Sequence, residues 1–141
     1  MADTLLLQLV SPERLLSEEP VTEVQIPALD GYIGVLPGHA PLLSELKPGG
    51  VLTYHTGNVE RVLAIYGGFV EVLPDRVRVL ADGAEFREEI NLQQAQQELS
   101  EATKAMGSGG NGGHGGEDVD LGIALAAAMR AQAKVDAATK K

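Results

Sequence analysis

Apolar and polar residues alternate with a period of two up to about residue 83, the spacing of strands whose neighbouring side chains leave opposite faces of a sheet. In "VTEVQIPAL", Val24, Ile26 and Ala28 fall on one side and Glu23 and Gln25 on the other; in "DRVRVLAD", Val77 and Val79 alternate with Arg76 and Arg78. Turn signals separate these runs, among them Ser11-Pro12, Asp30-Gly31, Pro37-Gly38, Pro48-Gly49-Gly50, Gly57-Asn58, Gly67-Gly68 and Pro74-Asp75. Short strands at near-regular spacing, about nine or ten of them, predict an antiparallel β-sandwich or flattened barrel. "TLLLQLV" and "RVLAIYGGFVEV" are apolar at consecutive positions. Such strands either lie mid-sandwich or turn their outer face to another protein, because large apolar patches are rarely left wet.

After "REEINLQ" the period changes: Leu92, Ala95, Leu99, Ala102 and Met106 step along one stripe of a helix. Asn91 is the expected N-cap, with Glu88 and Glu89 near the positive helix end. "GSGGNGGHGG", residues 107–116, holds seven glycines and reads as a flexible linker. "LGIALAAAMRAQAKVDAATKK" predicts a second helix whose apolar line is Leu121, Leu125, Ala128 and Val135, broken by Gln132. The fold class is therefore β + α: a sandwich over 1–84, then a two-helix antiparallel hairpin over 85–141, with helices at about 91–106 and about 118–138. The helical stripes are narrow and built from small side chains, so the hairpin is expected to be weakly held and able to swing.

Composition narrows the chemistry. The 141 residues carry a net charge of -9 and no cysteine, and their scattered cations make no basic stripe for phosphates, so no nucleic-acid partner is expected. The first residues have neither a basic leader region nor an apolar run near the roughly 20 residues that span a bilayer, so neither a leader nor direct lipid insertion is expected. Catalytic signals are absent: Ser11 and Ser44 have no histidine beside them in sequence, and the glycine run lacks the lysine and hydroxyl of a phosphate loop. His39, His55 and Glu45 are the only conceivable metal set. They carry the alternative reading, a free-standing ligand- or metal-binding β-sandwich; the leading reading has no catalytic residue and no metal.

"GYIGVLPGHAPLLSELKPG" is stiff with glycine and proline yet nearly uncharged, and "GGFVEVLPDRVRVLAD", "AEFREEINLQQAQ" and "DVDLGIALAAAMRAQAKV" follow it in order. In these four stretches the chain resembles, almost end to end, the epsilon subunit of bacterial F-type ATP synthase. The resemblance implies a non-catalytic rotor part at the cytoplasmic face of the bacterial inner membrane, coupling the gamma subunit to the ring of c subunits for proton- or sodium-driven ATP synthesis. Gly31, Tyr32, Pro37, Gly38, His39, Ala40 and Pro41 match the family's ring-facing edge; Ser11, Leu42 and Leu43 lie in regions near gamma. Within the stiff stretch, Val35, Leu36 and Leu43 read as core, while amphipathic Tyr32 and His39 read as interface.

The same resemblance makes the helices a regulatory element, permissive when compact and obstructive to ATP hydrolysis when extended toward the alpha and beta subunits. Relatives that bind ATP do so through Ile/Leu-Asp-x-x-Arg-Ala. Here the stretch reads "INLQQA": Asn91 stands for the acid and Gln94 for the arginine, and only Ile90, Ala95, Glu85 and Arg130 fit. Charge-assisted contacts are lost, so neither ATP nor another cofactor is expected to bind. With Arg130 and Lys134 the only cations of the second helix before its tail, inhibition is expected to be weak.

Overall fold

The computed structural model describes residues 3–109 and 117–140. Ten strands come first: β1 (Leu5–Val10), β2 (Leu15–Val21), β3 (Glu23–Ala28), β4 (Gly31–Val35), β5 (Leu42–Leu46), β6 (Gly50–Thr56), β7 (Val59–Ile65), β8 (Gly68–Leu73), β9 (Arg76–Ala81) and β10 (Ala84–Phe86). A single 3-10 turn, Arg87–Glu89, leads to helices α1 (Leu92–Gly109) and α2 (Glu117–Thr139). The strands form one hydrogen-bonded sheet in the order β10-β7-β6-β3-β5-β8-β9-β1-β2, with β4 beside β3. It curls so that the inward residues of both halves meet in one core, in which Leu7, Leu9, Ile26, Leu52, Tyr54, Leu63, Val77 and Val79 are fully buried.

The period of two is the cause. Val24, Ile26 and Ala28 are buried and Gln25 is exposed; Val77 and Val79 are buried between half-exposed Arg76 and Arg78. The sheet departs from the all-antiparallel form expected in one place: β1 runs parallel to β9, with Leu7 opposite Val77 and Leu9 opposite Val79. No tight turn joins these two strands, so inward residues rather than a hairpin set their direction and register. Gly68 is required where β8 meets β9: its φ is +121°, and a Cβ there would strike the Leu80 carbonyl.

Two expectations for the stiff stretch change. Val35 is core, but Leu36 and Leu43 are exposed, because Leu36 lies in the turn that follows β4 and Leu43, near the start of β5, points to the outer face. Strand pairing also continues two residues beyond the expected boundary at 84, through Phe86 opposite Leu63.

The helices lie compactly on the body. α2 covers the outer face of β6 and β7, where Ala133 and Ala137 bury Val62 and Ala64. This accounts for one strand that is apolar on both sides. The line expected on α2 is corrected: Leu121 and Leu125 are exposed, Val135 is half-buried, and the buried positions are Ala124, Ala128, Ala131, Ala133 and Ala137. Small side chains win because the helix backbone itself approaches the sheet, so closely that a Cβ on Gly49 would collide with the Met129 carbonyl oxygen. α1 packs on α2, burying Ala95 and Ala102 of its expected stripe. It continues to Gly109, three residues into the run read as linker, since extending a formed helix through glycine costs only about 1 kcal/mol per residue. Residues 110–116 of that run lie outside the described residues.

Gly49→Ala therefore places its methyl group where the α2 backbone now lies, an overpacking cost of about 1–3 kcal/mol. The variant should keep the thermal midpoint of the β-body while α2 becomes readily cut in limited proteolysis; wild-type resistance of α2 would contradict the close approach.

Candidate functional site

Three surfaces carry the residues singled out in the sequence. The first is the outer face of the half-sheet β5-β8-β9-β1, away from the helices. Strand pairing aligns Val10, Leu80, Phe69 and Glu45 in one row and Gln8, Arg78, Glu71 and Leu43 in the next. Leu43 is 73% exposed, Phe69 52% and Leu80 50%, and none is covered by another element among the described residues. Between them Arg78 Nη1 lies 3.6 Å from Glu71 and its Nε donates to Gln8 at 3.3 Å. Apolar anchors around a paired charge are what a protein partner buries well. Ser11, directly after Val10, borders this face and closes its own turn with Arg14. Leu42 does not share it, since it lies on the core side of β5, opposite Val72. Phe69 and Leu80 were not singled out from the sequence; the signal for Phe69 was the doubly apolar "RVLAIYGGFVEV", and for Leu80 the break in alternation where an apolar residue takes the outward position that Arg76 and Arg78 hold before it.

The second surface divides. Gly31 and Tyr32 open β4 and Pro37, Gly38, His39, Ala40 and Pro41 follow its end, so the two groups stand at opposite ends of a strand of about 13 Å. The turn is tied to the β8–β9 turn by the Gly38 amide, which donates to the Pro74 carbonyl at 2.8 Å, and His39 Nδ1 lies 2.7 Å from the Ala40 carbonyl. Tyr32 instead faces the side of the sheet that carries α2. Its hydroxyl accepts from the Val51 amide at 3.2 Å, Lys47 Nζ sits 5.3 Å from its ring, and Asp136, Thr139 and Lys140 line the same cleft. The metal set also falls apart: His55 on β6 lies between Glu23 at 3.0 Å and Glu60 at 3.4 Å, while His39 and Glu45 sit on other elements. No metal-holding group of three or more His, Asp or Glu occurs among the described residues.

The third surface is the joint between body and hairpin, where the degenerate motif lies. Asn91 caps α1, its Oδ1 accepting from the Gln94 amide at 3.0 Å. Ile90 packs against the cluster under α2, Ala95 is buried, and the Gln94 side chain is exposed. Glu85 Oε1 accepts from the Tyr66 hydroxyl at 2.7 Å, and the Arg130 guanidinium stands 5.7 Å from the Tyr66 ring. Burial first, then the bond to Glu85, pushes the Tyr66 hydroxyl far above its ordinary range, so it remains a donor. Glu89 has a different task from the helix-end charge expected of it: Arg14 Nη2 donates to both of its oxygens, at 2.7 and 2.9 Å, and the Phe86 amide donates to Oε1 at 3.0 Å. The arginine bond, helped by that amide, lowers the Glu89 carboxyl below its ordinary value of 4.5.

Residues 4–87 match the family model described as "ATP synthase, Delta/Epsilon chain, beta-sandwich domain". Along all 141 residues the chain is 50% identical to a protein of Solibacter usitatus (strain Ellin6076) named "ATP synthase epsilon chain", covering all of both. A Rhodospirillum rubrum protein of the same name is 54% identical over 84 residues, 60% of this chain and 63% of that one. A chain in the cryo-EM structure of the Euglena gracilis mitochondrial ATP synthase, OSCP/F1/c-ring in rotational state 1, shares the fold with a TM-score of 0.79 at 23% identity, covering 94% of this chain and 80% of that one.

The Arg14 clasp has a pH signature. A carboxyl depressed in the folded chain stabilises it fully above the unfolded value, and that contribution is lost as pH falls through the folded one. The thermal midpoint of Glu89→Gln should lie below wild type at neutral pH, and the difference should begin to shrink below the ordinary glutamate value and vanish once the pH has passed the lower folded one. A gap that persists in acid would mean Glu89 acts through packing rather than charge.

Proposed function

The chain belongs to the ATP synthase delta/epsilon family, and on that premise we propose that the bare face of β5-β8-β9-β1 is the seat of the gamma subunit. The protein is a non-catalytic subunit of the central stalk of F-type ATP synthase and works within the rotor. The observation that supports the seat is the exposure of Leu43, Phe69 and Leu80 on a rigid sheet whose other outer face is occupied by α2. Such side chains gain most when a partner excludes water from them. Torque passes through this contact without loss only if the body does not deform, and a sheet closed around one core resists deformation.

In this reading the end of the body bearing Pro37–Pro41, fastened to the β8–β9 turn, stands on the c ring, and the subunit is peripheral at the cytoplasmic face of the bacterial inner membrane. No helix among the described residues is long and apolar enough to cross a membrane. Tyr32, beside the last turn of α2, is better suited to holding the hairpin than to the ring. The hairpin regulates ATP hydrolysis without needing a nucleotide, because Asn91 is engaged as a helix cap and Asn91 and Gln94 offer no charge to a phosphate.

Replacing Phe69→Glu together with Leu80→Glu should weaken capture of gamma by about 30-fold or more, measured by co-purification and titration, with the thermal midpoint of the free subunit unchanged. Retained capture by the folded variant would remove gamma from this face. His39→Asp should lower proton-coupled ATP synthesis in reconstituted vesicles more than Tyr32→Asp does; equal effects would return Tyr32 to the ring edge.

A further inference from the structure

One side chain in the joint is bound by more elements than any residue of the degenerate motif. The Lys134 ammonium, on α2, lies 3.1 Å from Glu98 Oε2 on α1 and 3.7 Å from Glu85 Oε1 on β10. It stands 5.8 Å from the centre of the Tyr66 ring, and its side chain is only 19% exposed. Glu85 is in turn fixed by the Tyr66 hydroxyl at 2.7 Å. One cation thus draws together both helices and the body, whereas α1 otherwise packs on α2 rather than on the sheet.

We propose that Lys134 is an internal latch: its ammonium, shared by Glu85 and Glu98 against the face of Tyr66, holds the hairpin in its compact state from within. The charges around it explain why one lysine suffices. Glu85 and Glu98 each bring an acidic side chain to it, and Arg130, which also faces Tyr66, makes no ion pair with either. Without Lys134 two carboxylates face one joint with no shared counter-charge, so loss of the cation converts an attraction into a repulsion. Among the described residues, the other ionic tie from this part of the chain to the sheet, Lys140 to Glu60 at 3.4 Å, comes from just past the end of α2 and does not involve α1. Swinging α2 away must break the Lys134 contacts to Glu85 and Tyr66, and separating the two helices must break the contact to Glu98. The latch therefore opposes each route out of the compact state.

Hydrogen exchange of the full-length chain tests this, with the β1–β9 amides as an internal measure of folding. Lys134→Met should raise exchange of the α2 amides by about tenfold, the loss expected for a charge-assisted bond, while the β-body stays protected. Lys134→Arg should restore most of the protection. In wild type, exchange of α2 should rise as NaCl goes from about 50 to about 500 mM, and in Lys134→Met that slope should be lost. Unchanged α2 exchange in Lys134→Met, or an unchanged salt slope, would overturn the latch. Protection of wild-type α2 by millimolar ATP would speak instead against the nucleotide-free reading of the hairpin and leave the lysine test to stand on its own.

Discussion

A helix can lie this close on β6 and β7 because α2 turns only alanines toward the contact's buried centre. Ala133 and Ala137 meet Val62 and Ala64 at the sheet, and Gly49 lets the backbone near Met129 touch the loop before β6. Close approach gives good dispersion contact, yet alanines remove little apolar surface from water, so the seat is well fitted and weakly driven. What the apolar contact lacks in energy the polar joint contributes in geometry, through Lys134, Glu85, Tyr66 and, at the helix end, Arg87 with the Lys140 carbonyl. The association is close enough to define one compact state and weak enough to be undone.

The two outer faces of the body thereby acquire different physical characters. One is filled by the chain's own alanines, and the other displays Phe69, Leu80 and Leu43 to whatever meets it. The bare face carries large side chains, whose burial is worth most; the face under α2 is met by small ones. Both rest on the same core, so neither partner needs to reshape the sheet in order to bind.

Strand positions were legible because one side of nearly every strand is core: Val24, Ile26, Val77 and Val79 could not change face without exposing themselves. The cap at Asn91 was equally local. The buried line of α2 was not, because hydropathy ranks Leu121 and Leu125 above alanine, whereas the contact selects by size, and it is set by Gly49, over seventy residues away in the chain. The separation of Tyr32 from His39 was hidden for a related reason: seven positions in sequence are near neighbours in a turn but opposite ends of a strand. Lys134 reads as one cation on an alanine-rich helix until Glu85 and Glu98 arrive beside it from two other elements.

The parallel contact of β1 with β9 has a consequence for how the chain acquires its shape. The earliest strand to be made receives one of its two neighbours only after some seventy further residues exist, and such distant pairings are slow because a long loop must close first. Until then β1 has only β2, an apolar ribbon with an open edge. Insertion of β9 beside it completes the body, and because β9 precedes both helices, the sheet can be finished before the ribosome has delivered the tail that will settle on it.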